Sequence, residues 1–276
     1  MKNSTTIGFI GAGNMAYAII SGLINNDFSA KNIKISDINE SLLSLRKKEF
    51  NLEVFTDNSE LVRHCDVIVL AVKPQILSSV CQLLKQALNS NTLIISIAAG
   101  VRVHDIDRWL SGDCAIVRTI PNTPALLNQG VTGMFANERV SGTQKELATS
   151  ILNSVGQSLW VTDEVMLDAV TALSGSGPAY FFLMIESMSK AGVALGLDEK
   201  TAQALSIQTA LGAGMMASVR DESPRDLRAN VTSLNGTTQA AIESFQDQDF
   251  DMIVAHAMRA AFDRASQLAA ELSDSD

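Results

Sequence analysis

Between Arg228 and Gln239 the chain reads RANVTSLNGTTQ, which brings Ser233, Asn235, Gly236, Thr237 and Thr238 within six residues. These types at this spacing predict a tight turn opening a helix. Such a turn aims several backbone N–H groups and two hydroxyls at one small anion. It contains no strong acid or base, so its chemistry is to hold and polarise a substrate.

A second constellation lies near the N-terminus. Gly11-Ala12-Gly13-Asn14-Met15-Ala16 follows an apolar run and opens a helical pattern, giving the spacing G-x-G-x-x-A. Gly11 permits the turn, Gly13 lets backbone approach a pyrophosphate, and Ala16 allows close helix–strand packing. The helix N-terminus supplies N–H groups and partial positive charge, so a dinucleotide is expected here. Asp37 ends the second predicted strand. An acidic residue there accepts hydrogen bonds from ribose hydroxyls and repels a 2′-phosphate, which leans towards NADH over NADPH. A solvent-facing Asp or a helix cap is the plainer reading.

The scarcity of other chemistry is informative. The three histidines, His64, His104 and His256, show no metal-ligand spacing, and there is no G-x-S-x-G elbow. Zinc or triad hydrolysis has no support, and no metal is expected. Oxidation of an alcohol needs a positioned base for the hydroxyl proton. A protonated imine is already electrophilic at carbon. Its reduction needs hydride alignment, a hydrogen-bonding group at nitrogen and an anchor for any carboxylate, which the 230–238 loop can supply.

The elements that must position these residues fall into two textures. Buried strands are predicted at Thr6–Ile10, Ile33–Ser36, Val67–Val72, Leu93–Ile97 and Ala115–Arg118. Helices are predicted between them at Met15–Asn25, Ser41–Glu49 and Gln75–Ala87. This alternation implies a parallel sheet covered on both faces. A further strand pair, Gly130–Phe135 and Ser158–Val161, brackets a helix over Thr143–Val155. Beyond Asp163 the pattern is helical throughout: Glu164–Leu173, Ala179–Leu195, Asp198–Arg220, Pro224–Val231, Gly236–Phe245 and Phe250–Leu272. Ser273–Asp276 reads as a ragged tail. The expected division is a nucleotide-binding domain over 1–162 and an all-helical domain over 163–276. Small residues such as Gly192, Gly212 and Gly214 recur inside the later helices. Glycine costs about 1 kcal/mol there relative to alanine, so a demand for close packing is implied.

The 276 residues are 46% hydrophobic and 18% charged, enough apolar material for two packed domains. The net charge is −9, and no basic run exceeds Arg46-Lys47-Lys48, which argues against nucleic-acid binding. Cys65, Cys81 and Cys114 lack C-x-x-C spacing and read as reduced, buried cysteines. The N-terminus has no signal-peptide core, and no apolar run is long enough to span a membrane, so a cytoplasmic protein is expected.

Taken together, the blocks GFIGAGNMA at 8–16, AVKPQ at 71–75, SIAAGV at 96–101, RTIPNTPA at 118–125, LSGSGPAY at 173–180 and LRANVTSLNGTT at 227–238 resemble the pyrroline-5-carboxylate reductase family over essentially the whole chain. The resemblance implies a Rossmann-type doubly wound α/β domain followed by an all-α dimerisation domain. It implies reduction of Δ1-pyrroline-5-carboxylate to L-proline, the last step of proline biosynthesis, with NADPH or NADH. By analogy Ala12, Gly13, Asn14 and Met15 hold the pyrophosphate. Asn58 lies towards the adenosine, and Ala71, Val72, Lys73, Ala98 and Ala99 line the path to the nicotinamide. Thr238 hydrogen-bonds the ring nitrogen as the catalytic group, while Asn230, Ser233, Gly236 and Thr237 surround the carboxylate. The segment Ser174–Pro178 is expected to break a helix and wall the substrate pocket. A homodimer through the C-terminal helices follows from the resemblance, and family members often assemble dimers into a decamer.

The chain departs from the family at Leu234-Asn235, where Pro-Gly is usual, although Asn tolerates left-handed backbone. Two other readings stay open. A β-hydroxyacid dehydrogenase also joins a nucleotide domain to helices and would need a catalytic lysine, for which Lys190 and Lys200 are available. A non-catalytic dinucleotide sensor would bind the cofactor without needing Thr238.

Overall fold

Short apolar runs make the sheet of this protein, and their order sets where its loops emerge. The computed structural model describes residues 5–273; of the tail expected at Ser273–Asp276, Ser273 instead closes the last helix and the rest lies outside the described residues. The chain divides into two compact units, residues 5–176 with 261–273, and Gly177–Ala260.

In the first unit β1 (Ile7–Ile10), β2 (Ile33–Ser36), β3 (Glu53–Phe55), β4 (Val67–Leu70), β5 (Leu93–Ser96), β6 (Ala115–Ile120), β7 (Gly130–Ala136) and β8 (Gly156–Trp160) form one sheet ordered β3-β2-β1-β4-β5-β6-β7-β8. The first six run parallel. Every residue of β1, β4 and β5 is buried, as continuous apolar strands covered on both faces require. β7 pairs antiparallel to β6, and β8 pairs parallel to β7 around a helix at Gly142–Leu152, so the further strand pair expected at Gly130–Phe135 and Ser158–Val161 is present. The connection from β6 to β7 holds only a short 3-10 helix at Thr123–Leu127, too short for a parallel crossover.

Alternate strand residues feed two cores. Ile7, Phe9, Ile33, Ile35, Val67, Val69, Leu93 and Ile95 pack with α1 (Asn14–Asn25), α2 (Glu40–Phe50) and α6 (Gly142–Leu152). Ile10, Ile68, Leu70, Ile94 and Ile116 pack with α3 (Asn58–Val62), α4 (Pro74–Leu84) and α5 (Val103–Trp109). Burying a large apolar side chain stabilises the fold by about 1.5–3 kcal/mol, so each face adds substantially. Local signals set the helix starts. Asn39 Oδ1 accepts from Leu42 N at 3.0 Å before α2, Pro74 occupies the first turn of α4, and Ser141 with Gln144 forms a reciprocal capping box before α6. Burial pushes the thiols of Cys65 and Cys81 up to about 12; half-buried Cys114 is raised to about 11.

After β8 the chain enters α7 (Met166–Val170). Residues Thr171–Gly175 then make one wide π turn, closed by a 2.8 Å bond from Ser176 N to Thr171 O. The expected break thus takes the form of a π turn that ends at Gly175, with Ser176 outside any helix before the next helix begins at Gly177. The compact unit accordingly runs on past residue 162 to 176.

The second unit holds α8 (Gly177–Ala194), α9 (Glu199–Val219), α10 (Pro224–Asn230), α11 (Thr237–Asp247) and the first turns of α12 (Phe250–Ser273). Pro178 sits in the first turn of α8, where its missing N–H costs nothing. α8 and α9 form a hairpin in which Gly192 lies against Ala202. The close packing expected at Gly212 and Gly214 is not made within the chain, since a side chain at either position would meet nothing. Large apolar residues, including Phe181, Phe182, Leu211 and Met215, are exposed along α8 and α9. Among the described residues no helix is long and apolar enough to cross a membrane, and no group of His, Cys, Asp and Glu could hold a metal ion.

Candidate active site

The parallel strands end in register: Ile10 lies beside Ser36 and Leu70, Ser36 beside Phe55, and Leu70 beside Ser96. The residues that follow them therefore emerge along one edge of the sheet. This edge, where the strand order reverses between β1 and β4, is where doubly wound folds hold ligands. All the cofactor candidates follow these strand ends. Gly11, Ala12, Gly13, Asn14 and Met15 follow β1, and Asp37 follows β2. Asn58 opens α3 after β3. Ala71, Val72 and Lys73 lead from β4 into α4, and Ala98 and Ala99 follow β5.

Gly11 has φ +104°, and a Cβ there would lie 2.5 Å from the Ala71 carbonyl oxygen. Both facts demand glycine. At Gly13 the reason differs: a Cβ would meet nothing within 4 Å, so its outer side is open for a ligand to approach. Ala16 is buried in the strand-facing core. This is the cradle that a pyrophosphate fits: open above Gly13, closed below Gly11, with the N-terminus of α1 behind it.

Two contacts at this edge were not foreseen from sequence. Asp37 Oδ2 accepts from Ala12 N at 2.7 Å, and Oδ1 accepts from Asn39 N at 2.8 Å. The acid is thus part of the glycine turn, and Asn39 is the residue that caps α2. Next to it, the buried Ser36 hydroxyl donates to Asn58 Oδ1 at 2.6 Å, tying the end of β2 to the start of α3.

Further along, Asn122 is buried after β6. Its Nδ2 donates to the Ser174 carbonyl at 3.0 Å, and its Oδ1 accepts from Val131 N at 2.9 Å. The π turn is therefore held to the PNTP segment. Arg118 in β6 is the largest fully buried side chain; it donates to Glu164 Oε1 at 3.0 Å. Burial lowers its guanidinium pKa, and the charge of Glu164 opposes that shift. Partners 46 residues apart carry no sequence signal.

In the helical unit, the substrate candidates occupy the connection from α10 to α11. Asn230 closes α10, Ser233 lies exposed in the turn, and Gly236 is the N-cap residue of α11. Asn235 takes left-handed backbone with φ 58°, so the turn is made without the family's glycine. Its N–H is held by Gln239 Oε1 at 2.7 Å, and Gly236 N donates to Ser233 O at 3.0 Å. Thr237 and Thr238 are the first two residues of α11, which no side chain caps. Their N–H groups are among those an α-helix leaves unpaired, an arrangement suited to an anion. A recess of about 310 Å³ between α10 and α11 is lined by Arg228, Thr232, Gln239 and Glu243, so it does not include the two threonines. Lys190, the lysine that a hydroxyacid dehydrogenase would need, is paired with Glu186 on α8.

This fold and its glycine cradle define a nicotinamide-dependent oxidoreductase, with an α/β nucleotide domain followed by a helical domain. Residues 6–100 match the model described as NADP oxidoreductase coenzyme F420-dependent, and residues 164–268 match that described as pyrroline-5-carboxylate reductase dimerisation. A pyrroline-5-carboxylate reductase of Pseudomonas aeruginosa is 48% identical over 96% of this chain and 97% of its own length. The solved structure of such a reductase from Coxiella burnetii is 41% identical with a TM-score of 0.93, covering 96% of this chain and 99% of that one. That of the Plasmodium falciparum enzyme, with NADP bound, is 33% identical with a TM-score of 0.85, covering 97% and 99%. The chain belongs to the pyrroline-5-carboxylate reductase family.

Proposed function

We propose that this protein reduces Δ1-pyrroline-5-carboxylate to L-proline with NAD(P)H. The observation that carries the reading is the uncapped N-terminus of α11, where Thr237 and Thr238 combine free backbone donors with two hydroxyls. The N–H groups receive the substrate carboxylate, with Asn230, Ser233 and Gly236 shaping the turn around it. The Thr238 hydroxyl holds the ring nitrogen and keeps the imine oriented and polarised. When bound, the nicotinamide cofactor supplies the hydride. Gly11–Met15 hold its pyrophosphate and Asn58 lies towards the adenosine. Ala71, Val72 and Lys73 with Ala98 and Ala99 bound the path to the nicotinamide.

Asp37 favours NADH in this reading, because its carboxylate lies where a 2′-phosphate would add negative charge. The exposed apolar faces of α8 and α9, with Gly212 and Gly214 open beside them, support a homodimer through residues 163–276. Association of such dimers into a decamer and a cytoplasmic location complete the proposal.

The test is oxidation of NADH and NADPH followed in the presence of Δ1-pyrroline-5-carboxylate, with proline identified as product. Turnover with at least one cofactor is expected; its absence with both would overturn the assignment.

A further inference from the structure

The loop between β5 and α5, residues 97–102, carries Ala98 and Ala99 and is gripped from outside the sheet edge. Its last residue, Arg102, directs Nη2 to Asp168 Oδ2, a carboxylate almost completely buried. Val103 N, the next amide, donates to Glu164 Oε1 at 2.8 Å. That carboxylate also accepts from buried Arg118. Arg118 lies only 3.8 Å from Asp168 Oδ1, so two cations and two anions share one buried cluster.

The last turns of α12 complete this grip. Ser266 Oγ donates to Asp168 Oδ2 at 3.0 Å, on the same oxygen that receives Arg102. Gly100, at φ +78°, lies under the same helix: a Cβ there would be 3.2 Å from Leu272 and 3.4 Å from Leu268. At the far end, Ser273 Oγ donates to Asp105 Oδ1 at 2.8 Å in the first turn of α5. The helix therefore touches the loop at Gly100, the acid that orients Arg102, and the helix that follows.

We propose that Ser266, through Asp168 and Arg102, is a positioning residue that latches the Ala98–Ala99 loop for the nicotinamide cofactor. The inference rests on the assignment of that loop to the cofactor path. Without the hydroxyl, Asp168 Oδ2 keeps only Arg102, and the buried carboxylate gains freedom to turn towards Arg118. The end from which Ala98 and Ala99 project is then held less firmly, by Arg102 on a looser carboxylate and by Val103 N on Glu164. Ser266 itself touches neither cofactor nor substrate in this role.

The test uses the full-length protein carrying Ser266→Ala. Losing one hydrogen bond of typical net strength predicts a rise of about five- to tenfold in the cofactor KM. The dissociation constant from NAD(P)H fluorescence should weaken in parallel, while kcat stays within about twofold. Ser266→Thr, which retains a hydroxyl, should restore both. A lower melting temperature with unchanged cofactor KM and Kd would make Ser266 merely structural and overturn the latch. Gly13→Glu separates this failure from that of the underlying site. If Gly13→Glu abolishes cofactor binding and Ser266→Ala leaves it unchanged, only the latch is wrong; if Gly13→Glu binds normally, the nucleotide site itself is misplaced.

Discussion

The Asp37 carboxylate accepts a 2.7 Å hydrogen bond from the Ala12 N–H, which joins the end of β2 to the glycine turn after β1. One oxygen thus orders the backbone of the glycine turn, while the other is held by Asn39 N. A carboxylate has about four acceptor sites, so two remain for ribose hydroxyls. Asp37→Ser removes the negative charge together with the brace. The ratio of kcat/KM for NADPH over NADH should rise by about tenfold or more, and NADH binding should weaken. An unchanged ratio would show that Asp37 does not read the 2′ position.

Gly11 and Gly13 should separate folding from binding. Gly13→Val places its side chain in open space, so the melting temperature should move little while cofactor affinity falls by at least about a hundredfold. Gly11→Ala forces left-handed backbone and a clash with the Ala71 carbonyl, and should cost about 1–2 kcal/mol of stability or more. Thermal melts with and without NADH distinguish the two. Equal losses of stability would refute the distinction.

Thr238→Ala should lower kcat by about tenfold to a hundredfold and leave the cofactor dissociation constant unchanged. The backbone donors at the start of α11 survive the change, so the KM for the imino acid should rise less than kcat falls. A wild-type kcat would remove Thr238 from the reaction.

Phe182 on α8 is 65% exposed and lines an apolar groove with Ile185, Val193 and Ile207. In a homodimer formed by these helices Phe182→Asp should weaken association by about tenfold or more, read as a falling mass in light scattering on dilution. A mass that stays at two chains over the same dilution would place the interface elsewhere.

The raised thiols of Cys65 and Cys81 give stability a signed alkaline dependence. Their protonated forms are favoured in the fold, so this contribution is complete below the ordinary thiol pKa of 9.0 and is lost as pH rises towards 12. The urea midpoint should fall across that window, and Cys65→Ala with Cys81→Ala should flatten the slope. Identical slopes in the two proteins would show that these thiols do not drive it.

The strands from β1 to β6 except β3 were legible because short runs rich in Ile, Val and Leu, recurring between helical patterns, have one main use in an alternating chain. The glycine spacing located the turn after β1 for the same kind of reason, since Gly11 answers a local backbone demand. β3 escaped because Glu53-Val54-Phe55 is too short to show a period, and α5 because its seven residues include three charges. The π turn could not be read from Thr171–Gly175, whose residues suit ordinary helix ends as well. The contacts that order the edges lay further out of reach. Ala12 with Asp37, Asn122 with Ser174, and Arg102 with Asp168 pair groups that only the fold brings together. The turn at Leu234-Asn235 was an intermediate case: the tolerance of Asn for left-handed backbone was foreseeable, and φ 58° realises it.

Arg118 has both of its carboxylate partners beyond residue 162, and the last turns of α12 return to cover them from the far end of the sequence. The nucleotide-binding half of this protein is therefore not a cassette that a single cut releases. A fragment or hybrid joined at residue 162 would carry a buried guanidinium without its counter-charges. Recombination between relatives would have to exchange the sheet, the π turn and the C-terminal turns as a set, although they are separated by the whole helical unit.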